Sequence, residues 1–223
     1  MAIDCPSARN ACHATSPVFL CLQHMNQPPE HDQHPASRPS LDREAWIEFA
    51  LQVLPEEGVE GLRIEVLARR LHVTKGSFYW HFKDRQALLN VLITHWRDAR
   101  VREVEMQASI PADQANTQIR NVLDQYVTHP NQARMRTELA IREWARRDAF
   151  VATAVEAVDQ ARLANATNLF KLAGYPENTA QAHALLLFTH IFGLSMMMFE
   201  DSITSRVAQH CTTIAELIVS RKD

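Results

Sequence analysis

Thr74, Lys75, Gly76, Ser77, Tyr79, Trp80, His81 and Lys83 lie within one short stretch, TKGSFYWHFK. Its hydroxyls, imidazole and ammonium groups can donate hydrogen bonds to phosphate oxygens or base edges, and its rings can lie against a sugar or a thymine methyl. On a helix advancing about 100° per residue, Phe78 and Phe82 share a face suited to packing. The opposite arc presents Gly76, Ser77, Tyr79, Trp80 and Lys83, with Lys75 projecting from the first turn and His81 flanking. A glycine inside a helix costs about 1 kcal/mol relative to alanine. What it offers in return is room for something to approach the backbone closely. A plain three-helix core with surface cations would leave Gly76 and the outward Tyr79–Trp80 pair unexplained.

The whole chain is acidic, with 26 acidic and 23 basic residues among 223 and a formal charge of −3. Locally the balance reverses. Residues 69–85 carry Arg69, Arg70, Lys75, Lys83 and Arg85 against Asp84 alone, a net +4. Phosphate contacts need such a patch rather than a basic protein. Residues 41–90 as a whole hold seven basic and eight acidic residues, so modest non-specific affinity with steep salt dependence is expected.

The elements that would position this stretch are helical. Ser40 is the expected N-cap of a first helix, LDREAWIEFALQVL, with Trp46, Phe49, Ala50 and Val53 on one face and PEEG as its stop. RIEVLARRL places Ile64, Leu67, Ala68 and Leu71 at helical spacing, and a turn at His72–Val73 leads to a short helix capped by Thr74. That turn calls for a positive φ, which histidine tolerates less well than glycine. Asp84 can cap a long fourth helix. Past Ile110–Pro111, helices are expected at about 113–129, 132–147, 149–173, 177–200 and 204–221. Gly174 and Pro176 mark the join between the third and fourth of these. The helix at 177–200 is apolar nearly all round, so it needs cover on two sides, and a second copy of the chain is the expected second cover. No strand periodicity is present, and the fold class expected is all-α.

Other classes find little support. Residues 1–39 hold six of the ten prolines and no helical period, so they are expected to be a disordered extension. No apolar run reaches the roughly 20 residues of a membrane span, and the N-terminal VFLCL is too short for a secretion signal, so a cytoplasmic location is expected. Cys5, Cys12 and Cys21 have no zinc-ligand spacing, and no metal or cofactor is expected. Four of the eleven histidines lie in the extension. The others form no paired metal spacing, and there is no nucleophile motif or phosphate loop, so an enzyme is not expected.

The run REAWIEFALQVLPEEGVEGLRIEVLARRL followed by HVTKGSFYWHFKDRQALL resembles the DNA-binding domain of the TetR family of transcriptional regulators. About fifty residues match, including the Tyr-x-His-Phe run and the basic residue opening a long fourth helix. The resemblance implies a three-helix domain at 40–100, with its helix-turn-helix at about 63–82, followed by a helical effector-binding and dimerisation domain at 101–223. It implies a homodimer on a near-palindromic operator, with half-sites about one DNA turn apart, released by a small-molecule effector that moves the fourth helix. Carried over by position, Thr74, Lys75, Gly76 and Ser77 approach bases, and Tyr79, Trp80 and His81 meet phosphates or thymine methyls. Lys83, Arg85 at the start of the fourth helix and Arg63 at the start of the second are phosphate neighbours. His72 departs from the glycine usual at the turn.

For the effector, Trp96, Met106, Tyr126, Met135, Trp144 and Phe188 are the pocket residues expected, since ligand cavities favour aromatic and apolar linings. Each also sits at ordinary core spacing. The dimer bundle is expected from 149–173 and 177–200, with small residues Ala154, Ala157, Ala161 and Ala164 allowing close approach and 204–221 able to replace the first. The alternative reading is a DNA-binding activator or DNA-organising protein without an effector, which a collapsed or polar cavity would favour.

Overall fold

Helix α1 (Arg43–Glu57) begins at Asp42, whose carboxylate accepts a hydrogen bond from Ala45 N at 2.8 Å. The computed structural model describes residues 41–108, 111–127, 132–197 and 201–220, without side chains for 125–127, 132–133 and 201–209. The proposed Ser40 cap and the 1–39 extension lie outside the described residues. Asp42 takes the capping role because its side chain reaches the free N–H three positions on. The helix also runs past its expected stop, through Pro55 to Glu57. In the last turn a proline removes a single backbone hydrogen bond. Gly58, at φ 64°, then closes the end by donating to Leu54 O at 2.9 Å. A 3₁₀ turn follows at Val59–Gly61. A Cβ on Gly61 would fall 2.3 Å from Glu57 Cβ, so that close approach requires glycine.

Helices α2 (Ile64–Arg70) and α3 (Lys75–Tyr79) are joined at His72, which has φ 56° and is the only non-glycine with positive φ among the described residues. His72 N donates to Arg69 O at 3.2 Å and Val73 N to Ala68 O at 3.0 Å. This paired pattern is the Schellman ending of a helix, with His72 where glycine usually stands. The imidazole is exposed, so the strain has no packing reason in the chain. His72→Gly is expected to raise folding stability by up to about 1 kcal/mol, the left-handed strain removed less the flexibility glycine adds. A urea melt measures it, with operator binding expected to be unchanged. A loss of binding would assign the imidazole a DNA contact.

The remaining helices are α4 (Arg85–Ala108), α5 (Ala115–Val127), α6 (Gln132–Ala145), α7 (Ala149–Leu172), α8 (Glu177–Met196) and α9 (Asp201–Val219). Asp84 Oδ1 accepts from Ala87 N at 2.8 Å and so caps α4. Among the described residues every regular element is helical, and none of the helices is long and apolar enough to cross a membrane. Two apolar clusters hold the fold. The first joins Trp46, Leu54, Leu67, Phe78, Phe82 and Leu92 to Ile141 and Trp144 of α6 and the first half of α7. The second joins α5, the second half of α7, α8 and the end of α9. The first cluster therefore continues past residue 100, where the sequence suggests a division, and α4 runs straight through that position.

Between α6 and α7 lies an ionic network. Glu138, 4% exposed, accepts a forked pair of bonds from Arg162 at 2.9 and 3.1 Å. Arg142 donates to the same carboxylate at 3.0 Å and to Asp159 at 2.9 Å, and its guanidinium lies 4.1 Å from the centre of the Phe192 ring. At the far end, Tyr175 Oη and His183 Nδ1 hold the carbonyls of Val219 and Ile218, closing the end of α9; the His183 contact is 2.7 Å.

Candidate nucleic-acid interface

The reading helix is held from beneath by aromatic packing. Phe78 is fully buried, with its ring centre 5.3 Å from those of Trp46 and Phe82. Edge-to-face and offset rings at this distance add to simple burial. Phe82 also takes the Arg43 guanidinium at 5.2 Å. With this face fixed, α3 can turn only its other side outward. Tyr79 is 57% exposed and Trp80 88%. Thr74 Oγ1 accepts from Ser77 N at 3.3 Å, so that hydroxyl caps the helix. A Cβ on Gly76 would meet only Thr74 Oγ1, at an ordinary 3.5 Å. Nothing among the described residues demands glycine there.

Of the cations expected at this surface, Lys75 and Lys83 are exposed and Arg63 stands exposed at the start of α2. Lys75 Nζ donates to Glu65 at 2.8 Å, bringing the first turn of α2 beside that of α3. The Lys75 bond holds the Glu65 carboxyl below its ordinary range. A phosphate approaching Lys75 must compete with this exposed pair, which costs little to open. His81 is half-buried against the edge of Phe82. Arg85, also expected at this surface, has partners within the chain. Its guanidinium is half-buried and donates to Leu62 O at 2.7 Å and to Val59 O. It bonds carbonyls of the 3₁₀ turn and its cap and ties α4 to the support of the reading head.

The expected pocket residues do not form one lining. Trp96 and Trp144 belong to the first apolar cluster, Met106 is 71% exposed, and Met135 packs against the second cluster. Tyr126 lies outside the residues whose side chains are described. Of the five whose side chains are described, Phe188 lines the enclosed cavity of the C-terminal half. That cavity has a volume of about 30 Å³, with Ile119, Val122, Leu169 and Leu187 as further apolar walls. Its polar wall is Arg100, Glu103, Gln107, Arg134, Arg162 and Asn165. These residues escape a search for aromatics; the signal for them is charge recurring on helix faces otherwise apolar.

A short, aromatic and cationic helix projected by a tight turn from a packed two-helix support defines a helix-turn-helix domain. Residues 47–92 match the family model described as bacterial regulatory proteins, tetR family. Over 52 residues it is 50% identical to the tetracycline repressor protein class C of Escherichia coli, 23% of this chain and 24% of that protein. Over 73 residues it is 32% identical to the HTH-type transcriptional regulator AcrR of Shigella flexneri, 32% of this chain and 34% of that one. The chain thus spans about a quarter to a third of the length of these relatives. Solved structures extend the likeness of fold. One from Saccharomonospora viridis, in complex with choline, aligns with TM-score 0.61 at 16% identity over 78% of this chain and 95% of that one. Salmonella enterica GusR aligns with TM-score 0.56 at 17% identity, over 79% and 92%.

Proposed function

We propose that this protein is a dimeric transcriptional repressor that binds a near-palindromic operator through α3 and is released by a small-molecule effector, acting in the cytoplasm. The observation that carries DNA binding is the outward Tyr79–Trp80 pair beside Lys75 and Lys83, on a helix whose other face is locked by Phe78. Thr74, Lys75, Gly76 and Ser77 approach the bases; Tyr79, Trp80, His81, Lys83 and Arg63 meet the backbone. Arg85 supports this surface from behind.

A dimer is supported by α8, which buries Ala180, Ala184, Leu187 and Ile191 and leaves Leu185 and Leu186 about half exposed and Met196 67% exposed. Helix α7 is largely enclosed, with Ala154 in the core and α4, α5, α6 and α8 all packed on it. Helix α9 exposes Leu217. The interface is therefore assigned to α8 with α9 rather than to α7 with α8. The second reading, a DNA-binding regulator without an effector, is favoured by the small size and charge of the cavity.

The test is a mobility shift with the DNA flanking the protein's own gene. Lys83→Ala is expected to weaken binding across sequences and to lower the slope of log affinity against log salt by about 1. An unaltered slope would remove Lys83 from the phosphate contacts, and no shift with any flanking DNA would sink the operator reading.

A further inference from the structure

We infer that Glu65 and Lys75 act as one unit that reads a single base pair in each half-site, Lys75 on guanine and Glu65 on the cytosine paired with it. This rests on the DNA-binding reading of α3 above. Glu65 stands on α2 and Lys75 on α3, and Lys75 Nζ donates to Glu65 Oε1 at 2.8 Å. Both side chains are more than half exposed. From Gly61 to Lys83 the one acidic residue is Glu65, set among Arg63, Arg69, Arg70, Lys75 and Lys83. An exposed ion pair contributes little to stability, so the fold gains little from this one. A carboxylate there also repels phosphates, and a surface that only gripped the DNA backbone would bind better without it.

The major-groove edge of a G·C pair matches the two side chains. Guanine O6 accepts from cytosine N4 within the base pair, so an acceptor and a donor lie side by side, about 2.9 Å apart. Lys75 Nζ and Glu65 Oε1 are a donor and an acceptor at nearly the same spacing. Set edge to edge, the ammonium meets O6 and the carboxylate meets the N4 amino group, and the bond between the side chains stays closed. An ammonium has three donors, so Lys75 can hold Glu65 and still reach both O6 and N7 of guanine. A phosphate offers acceptors only and must draw Lys75 away from Glu65. The bond from Lys75 keeps the Glu65 carboxyl below its ordinary range, so it enters the groove as an acceptor. Gly76, next to Lys75, adds no side chain between the pair and a base edge.

The four base pairs then rank in a fixed order. With thymine in the place of guanine, T·A keeps an acceptor at O4 and a donor at N6. It sets a methyl where guanine has N7, however, and brings the acceptor N7 of adenine beside Glu65, so it comes second. A·T and C·G turn a donor toward Lys75 and an acceptor toward Glu65, and both are rejected. The unit selects a keto base on one strand, guanine before thymine.

The test selects duplexes from a pool randomised over about two DNA turns, using the full-length protein, Glu65→Ala and Lys75→Ala in parallel. Wild type is expected to enrich, in each half-site, one position that is guanine first and thymine second. Both variants are expected to flatten that same position and to leave the others unchanged. Four duplexes differing only at that base pair are then titrated by fluorescence anisotropy. The wild-type spread from G·C to C·G is expected to be roughly five- to a hundredfold. Glu65→Ala should narrow it by binding the C·G duplex more tightly than wild type does. Both side chains are exposed, so both variants should melt with wild type. An equal gain for all four duplexes in Glu65→Ala would mean that Glu65 only screens Lys75, and would overturn the inference. A position indifferent to Glu65, or one where adenine follows guanine, also overturns it and leaves the DNA-binding reading standing. No enrichment by wild type removes both.

Discussion

Glu138→Ala is expected to lower folding stability by about 3–5 kcal/mol, the range for removing one partner of a buried ion pair. Arg162, 6% exposed, would lose its forked carboxylate partner, and Asp159 stands farther away at 3.7 Å. Arg142 would lose one of its two carboxylates. For a helical unit of this size the change is a fall of roughly 10 °C in melting temperature. Exchanging both Glu138 and Arg162 for leucine should cost much less, because the desolvation of both charges disappears with the pair. The network therefore makes the meeting of α6 and α7 specific more than it makes it strong. Its pH dependence has a definite sign. Burial pushes the Glu138 carboxyl up, but Arg162 and Arg142 outweigh it and hold it below its ordinary 4.5. A carboxylate depressed on folding stabilises above its unfolded value, and that stability is lost as pH falls through the lower folded value. The gap between wild type and Glu138→Ala should thus be constant from about pH 5 to 8 and close only in stronger acid. Urea melts across this range measure it; a gap that closed near neutrality would show that Glu138 is not ionised as described.

Tyr79→Ala and Trp80→Ala are each expected to reduce operator affinity about ten- to a hundredfold while leaving melting temperature and dimer mass nearly unchanged. Both side chains are mostly in solvent, so truncation opens no cavity. Tyr79 loses an edge contact with Phe78 at 5.4 Å, a small part of a core that Trp46 and Phe82 also build. The expected loss corresponds to about 1–3 kcal/mol for a side chain meeting DNA. Phe78→Ala supplies the contrast, because it empties a fully buried site and should cost about 3–5 kcal/mol of folding stability. Titration by fluorescence anisotropy, paired with sedimentation and thermal melts, separates the two outcomes. Full affinity in both surface variants would remove α3 as the reading helix.

The reading head was legible because its parts are local. Thr74 caps within three residues, Asp84 does the same for α4, and the turn at His72 is decided by hydrogen bonds no more than five residues long. The aromatic pattern divides Phe78 and Phe82 from Tyr79 and Trp80 by helical period alone. Errors came where a local rule met a local alternative. Pro55 did not end α1 because a last turn tolerates it, and Asp42 capped the helix because its carboxylate lay one turn before Ala45.

The C-terminal half yielded its helices to the same reasoning but not its chemistry. Glu138 with Arg142, and Asp159 with Arg162, are spaced like solvent-facing pairs along a helix, and nothing in that spacing says that Glu138 and Arg162 are buried against each other. Aromatic residues were expected around a pocket, whereas Trp96 and Trp144 fill a core and the cavity is walled by arginines. Arg85 is a phosphate neighbour by position, and its bonds to the carbonyls of Val59 and Leu62, more than 20 residues away, are not visible in that position. Capping, periodicity and turn chemistry act over a few residues, so the sequence alone determined the helices and the outward face of α3. Burial and ion pairing across 20 or more residues depend on which helices meet, and only the tertiary structure decided those.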